Sequence, residues 1–253
     1  MMEITEILKA VTVDCKDNQH EFTVKDRIDV IESLLGNSSY QLVGRGKLCL
    51  IYAKKPIANR PVILISSHID CVYDKLFCEE REDGTLRGTF DNSLTNSCLL
   101  YAMLSGQIDD NVVIAFTGDE EEDSNGAREV MRMLRRQHTK IAFCFVLDVT
   151  EEGWQEKCPY TLENDLGVDL ETGYEIVRVA KGWGQPYAFV HDAEPDESWD
   201  YDEEDIPCLT LCCPILGDMH SSRGCLARKE SLPVYSEAIV RFTKVVADTL
   251  IRN

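Results

Sequence analysis

The sequence predicts an α/β protein in three layers (α/β/α), with a mainly parallel mixed sheet covered by helices on both faces, in a single domain over residues 1–253. Three apolar runs rich in β-branched residues, Val62 to Ile69, Val112 to Phe116 and Ile141 to Leu147, are too uniformly hydrophobic to leave one face wet, so they suit strands buried on both sides. Between them, residues 92–104 and 126–137 repeat apolar positions at helical spacing. Buried strand alternating with helix is the signature of a parallel sheet with crossover helices. A chain of 253 residues, 44% apolar, can close such a core without a disulfide or a structural metal.

Two amphipathic helices are predicted first, over 2–16 (Ile4, Ile7, Leu8, Val11) and over 24–36, the second stopped by Gly36. Strands follow near 40–44 and 48–53. Pro61 opens the first buried strand, and Glu79 to Gly84 reads as a turn or loop. Beyond the third buried strand, two more strands are expected near 174–180 and 186–190. The stretch 192–205, dense in carboxylates with no basic side chain, is expected to be a solvated loop because like charges repel and extend. The apolar run Ile206 to Leu216 is another strand, 217–220 a loop, and 233–251 a closing amphipathic helix.

Lys and Arg number 26 against 45 Asp and Glu, a formal charge of −19, which argues against nucleic acid and anionic membranes as partners and favours cations. The start lacks a basic segment followed by an apolar one, and no run approaches 18 apolar residues, so a cytoplasmic, soluble protein is expected. The eleven cysteines include no C-x-x-C pair, and several sit inside strand-like runs. They read as reduced thiols packed as small hydrophobes. Nothing in the sequence sets an oligomeric state.

The buried strands end in metal-ligand residue types: His68 and Asp70, then Glu120 and Glu121, then Asp148. Asp91 and His220 stand at turns between elements. A histidine closing one strand, or a carboxylate at one turn, is ordinary. Several at corresponding edges of one sheet are not, because open α/β sheets bind ligands beyond the carboxyl ends of their strands. Imidazole and carboxylate without thiolate suit zinc, with cobalt or manganese able to substitute. His20, His138 and His191 have no partners in this pattern and read as surface or structural.

In their order, Ser67-His68-Ile69-Asp70, Gly88-Thr89-Phe90-Asp91-Asn92, Asp119-Glu120-Glu121 with Gly126-Ala127, Leu147-Asp148-Val149-Thr150 and Met219-His220-Ser221 resemble the motifs of the co-catalytic di-zinc exopeptidases, metallopeptidase clan MH. The resemblance runs from about residue 61 to 251. It implies two zinc ions: His68 and Asp148 on one, Glu121 and His220 on the other, and Asp91 bridging both across a cis peptide to Asn92. Asp70 would fix the tautomer of His68 from behind, and Glu120 would be the general base for a water bridging the metals. It implies amide-bond hydrolysis of a peptide or small amide substrate. Relatives of the deacetylase and carboxypeptidase branch carry a Glu four residues after the last His, where this chain has Gly224, so an aminopeptidase on short peptides is expected. A zinc-dependent deacylase or carboxypeptidase on small N-acyl substrates, and a non-catalytic binding protein retaining the fold, are the alternatives. The intervals His68 to Asp91 and Asp148 to His220 are too short for the second domain that some resembling enzymes insert there, so no lid is expected. Asp200, within the acidic run, is the choice for holding the substrate's ammonium group.

Overall fold

In the computed structural model described here, residues 2–12, 25–73, 76–191 and 193–252 are placed. At its centre lie four parallel strands in the order β6 (Val112–Thr117), β3 (Pro61–His68), β7 (Lys140–Thr150) and β10 (Cys208–Leu216). Antiparallel β2 (Cys49–Ala53) and β1 (Gln41–Arg45) extend the β6 edge.

The other edge is divided. The first half of β10 pairs with antiparallel β8 (Thr161–Leu166), which carries parallel β9 (Ala188–Val190). Its last residues instead pair with β11 (Cys225–Arg228), and from there the sheet continues into the hairpin β5 (Thr85–Gly88) and β4 (Cys78–Glu80).

Side chains of the central strands alternate between two cores, as the two-residue period of a strand requires. Ile63, Ile65, Ile114, Phe116, Phe143 and Phe145 face one layer, made by α1 (Ile4–Val11), α2 (Lys25–Leu35), α3 (Ser93–Leu104), α5 (Leu170–Trp183) and α7 (Ser231–Leu250). Val62, Leu64, Val113, Ala115, Cys144 and Val146 face the other, made by α4 (Asn125–Arg136) and α6 (Glu197–Asp202). Among the described residues no helix is long and apolar enough to cross a membrane.

Several elements differ from expectation. The helix expected over 2–16 is found from Ile4 to Val11; the residues beyond Thr12, His20 and Val24 lie outside the described residues. The strand expected at 174–180 is part of α5. Asp169 caps that helix by accepting from the Glu171 and Thr172 amides at 2.9 Å, Gly184 ends it at φ 75°, and Thr172, Ile176 and Ala180 make its buried stripe. The acidic run is not simply a loop: Asp196 caps α6, which buries Glu197, Ser198 and Tyr201, while Asp192 lies outside the described residues. β8 and β11 had no expected counterpart, Glu79 and Glu80 belong to β4, and β7 continues past Asp148 to Thr150 because β10 pairs with it that far.

Arg27 of α2 is fully buried and donates to the Val11 carbonyl and, at 2.6 Å, to the Ile69 carbonyl. It thereby ties the first two helices to the turn between His68 and Asp70.

Candidate metal centre

Strand register places the first ligands. β3 runs beside β7 with Ser66 opposite Val146, and β7 runs beside β10 with Asp148 opposite Cys212. Two residues further along, His68 therefore stands next to Asp148 on the same face of the sheet, and His68 Nε2 lies 3.6 Å from Asp148 Oδ1. The cis peptide Asp91–Asn92 occurs as expected at the start of α3. Asn92 Nδ2 donates to the Leu147 carbonyl at 2.7 Å, and Asn96 Nδ2 donates to the His68 carbonyl at 2.7 Å, so α3 is fastened to both ligand strands.

Asp91 stands between two groups. Its Oδ1 is 3.1 Å from His68 Nε2, while its Oδ2 is 3.3 Å from His220 Nε2, which in turn is 3.4 Å from Glu121 Oε2. His68, Asp91 and Asp148 form one cluster of donor atoms, and Asp91, Glu121 and His220 another. Asp70 Oδ1 stands 3.4 Å from His68 Nδ1, and Asp70 Oδ2 accepts from the Glu121 amide at 3.2 Å. Glu120 Oε2 is 3.8 Å from His68 Nε2.

These separations fit a metal better than they fit hydrogen bonds. Four ligands at about 2.0–2.2 Å around a tetrahedral ion stand about 3.4 Å from each other, and the contacts between ligands, 3.1 to 3.6 Å, fall around that edge. His68 Nε2, Asp91 Oδ1 and Glu121 Oε1 are buried with no hydrogen-bond partner, a costly arrangement unless a cation satisfies them.

The electrostatics agree. Burial pushes Glu120 well above its usual range, with the charges of Asp148 and Asp91 adding to it. Burial and Asp91 raise Glu121 to about 8, and burial raises Asp148 to about 6. Burial alone would lower His68, but Glu120, Asp148, Asp70 and Asp91 outweigh it and hold the imidazole well above its usual value. The Asp91 carboxylate beside it raises the His220 imidazole to about 9. Although burial would raise Asp91, the two imidazoles hold it well below the ordinary carboxylate range. Protons held by crowded, buried carboxylates such as Glu121 are what a divalent cation would displace.

Asp200 is not part of this cluster. It sits on α6 and pairs with Arg128 at 2.6 Å, so its charge is already met. Gly224 has φ 71°, and a Cβ there would stand 2.6 Å from the Gly88 carbonyl oxygen, which leaves no room for a Glu in this conformation.

Two carboxylates near the site were not singled out from the sequence. Glu163 of β8 lines the cavity in front of the cluster. Glu197 of α6 is buried behind β3 and accepts from Ser66 Oγ at 2.6 Å. The alternation Thr161, Leu162, Glu163 could have signalled the first, and the Asp196 cap followed by buried Tyr201 the second.

No curated protein sequence matches the chain. Among solved structures, the LapA aminopeptidase of Legionella pneumophila is similar with a TM-score of 0.70 at 15% identity, covering 98% of this chain and 71% of that one. The TET aminopeptidase of a marine-sediment archaeon (Thaumarchaeota) reaches a TM-score of 0.76 at 11% identity, covering 95% and 96%. Aminopeptidase PepT of Bacillus cereus reaches 0.68 at 12% identity, covering 96% and 98%. At these identities the likeness is one of fold. The sequence itself matches Peptidase family M20/M25/M40 over residues 64–242, most of its length and the whole ligand cluster, and the chain belongs to that family.

Proposed function

We propose that this chain is a two-metal exopeptidase, an aminopeptidase that removes residues from the free amino terminus of short peptides. The observation that carries this reading is the pair of ligand groups sharing Asp91, with Glu120 beside them lining the same cavity. His68 and Asp148 would hold one cation, Glu121 and His220 the other, and Asp91 both; zinc suits this donor set, and cobalt or manganese could replace it. Bound there, divalent cations supply Lewis-acid polarisation of the scissile carbonyl and lower the pKa of attacking water. The chain's own part is proton handling and orientation. Glu120, held basic by burial and by its neighbours, can take a proton and return it to the leaving amine. Asp70 orients the ring of His68 and, through the Glu121 amide, the turn carrying both glutamates.

The aminopeptidase reading is supported over a deacylase or carboxypeptidase by Gly224, whose site cannot take the Glu of those relatives, and by the aminopeptidases among the similar folds. We read residues 1–253 as one domain with no lid. The hairpin β4–β5 occupies the interval before Asp91, and β8 to β10 occupy the interval before His220, all within or against one sheet. The described cysteines are free thiols, mostly buried, which fits a reducing compartment such as the cytoplasm.

The test has two arms. Purified protein should carry close to two divalent cations per chain, and a chelator should lower its melting temperature, since a ligand present at 1,000 times its Kd stabilises the native state by about 4 kcal/mol. A free-amine aminoacyl amide should be hydrolysed and its N-acetylated form spared. Cleavage of the blocked substrate as well as the free one would replace the aminopeptidase with a deacylase. Bound metal with no turnover of either would favour a binding protein.

A further inference from the structure

The cavity in front of the cluster has a volume of about 690 Å³. Besides the cluster it is lined by Glu151, Glu152, Glu163, Glu194 and Asp196, and among the described residues by no lysine or arginine. Acidity alone would not make it a site. Glu163, which lines it, is more than nine-tenths buried with no cation paired to it among the described residues.

The five carboxylates are not equivalent. Asp196 is occupied, accepting from the Ser198 amide, Asn164 Nδ2 and Thr210 Oγ1. Glu151, Glu152 and Glu194 are exposed at the rim. Glu163 is 5% exposed and forms part of the cavity floor, with Thr161 Oγ1 donating to its Oε1 at 2.5 Å. Cys212 of β10 pairs with Asp148 on one side and with Thr161 of β8 on the other, and Thr210 pairs with Glu163. Glu163 thus shares the sheet face of Asp148 and lies two strands across from it and two residues back along the strand, about 12 Å at the usual strand spacings.

That offset decides what Glu163 can meet. With the scissile carbonyl at the cluster, the substrate's α-ammonium is only two bonds from the carbonyl carbon and stays beside the cluster. A carboxylate two strands away is in reach of the head of a long side chain on the same residue. We infer that the cavity takes the side chain of the substrate's first residue, that its preferred substrates begin with lysine or arginine, and that Glu163 receives the cationic head.

This inference rests on the peptidase reading of the same site. Burial raises Glu163 to about 7, opposed by the hydroxyls of Thr161 and Thr150, so ionising it is costly until a cation arrives. An apolar side chain in the same place would leave the Glu163 carboxyl without its cation, while a glutamate side chain would meet the like charges of Glu151, Glu152 and Glu194. The rim carboxylates draw cationic peptides toward the opening.

The test uses the metal-loaded full chain with lysine and leucine p-nitroanilides, and calorimetric binding of lysinamide and leucinamide. The wild type should favour lysine over leucine by about tenfold or more in kcat/KM, as a hydrogen-bonded charge pair warrants. Glu163→Gln should bring that ratio close to one, and Glu163→Asp should retain part of it. A wild type that handles leucine as well as lysine overturns the inference while leaving the peptidase reading intact, and it does so even if the variant fails to fold. A ratio unchanged in Glu163→Gln also overturns it. Lysinamide binding that is selective and lost in Glu163→Gln, with neither anilide hydrolysed, supports the pocket and removes the peptidase reading.

Discussion

Replacing Glu120 by glutamine is expected to leave metal content unchanged and lower turnover by about 10²–10⁴-fold, whereas replacing Glu121 by alanine should lower metal content itself. The two are neighbours in sequence with different surroundings. Glu121 Oε2 is 3.4 Å from His220 and its Oε1 is buried without a hydrogen-bond partner, the environment of a ligand. Glu120 faces His68 at 3.8 Å from the cavity wall and belongs to neither donor group. At a turn, adjacent side chains diverge, so one can hold a cation while the other reaches the substrate. Metal analysis and steady-state kinetics on both variants check this, and equal metal loss in the two would remove the division of roles.

The second large effect is expected at Gly126. A Cβ at this position would lie 2.4 Å from the Gly118 oxygen, 2.8 Å from the Gly118 nitrogen and 2.8 Å from the Leu48 oxygen, all backbone atoms that no rotamer change can move. The start of α4 is pressed against the segment that leads into Glu120. The Gly126 amide donates to the Gly118 carbonyl at 3.2 Å, and Asn125 Nδ2 donates to Asp119 Oδ2 at 2.6 Å while Asp119 sits at φ 68°. Gly126→Ala should therefore destabilise the fold by about 1–3 kcal/mol, the usual cost of overpacking, and weaken metal binding through displacement of the glutamate turn. Denaturant midpoints and metal titration would read both, and a variant matching the wild type in both would show that the backbone yields there.

How much of this was legible in the sequence depended on where the signal was local. The three central strands could be read because burial on both faces leaves unbroken apolar runs, and the ligands at their ends because polar residues there interrupt such runs abruptly. Asp91 and His220 sit in turns with no such frame, and only the order of motifs pointed to them. The misread segment at 174–180 shows the limit. Glu-Ile-Val-Arg-Val is rich in β-branched residues, yet its cap at Asp169, its stop at Gly184 and its packing against α7 make it helical. Charge density hid α6, because burying Glu197 against Ser66 depends on a partner 131 positions away in the chain. The pairing of Asp200 was hidden for a similar reason: its partner Arg128 lies on α4, far away in sequence.

The order of the strands in the sheet bears on synthesis. β3 carries His68, yet both of its ladder neighbours, β6 and β7, lie downstream of it in the sequence. As the chain emerges from the ribosome at about 5–20 residues per second, this apolar strand has no backbone partner until residues 112–117 appear, and its second edge stays open until 140–150 follow. Ribosome-bound chains arrested before residue 112 should accordingly leave β3 open to protease, and chains arrested after β7 has cleared the exit tunnel should protect it. The nascent polypeptide therefore carries this apolar strand with at least one edge open while about a third of the chain is made, an interval in which a holdase rather than the native sheet would cover it.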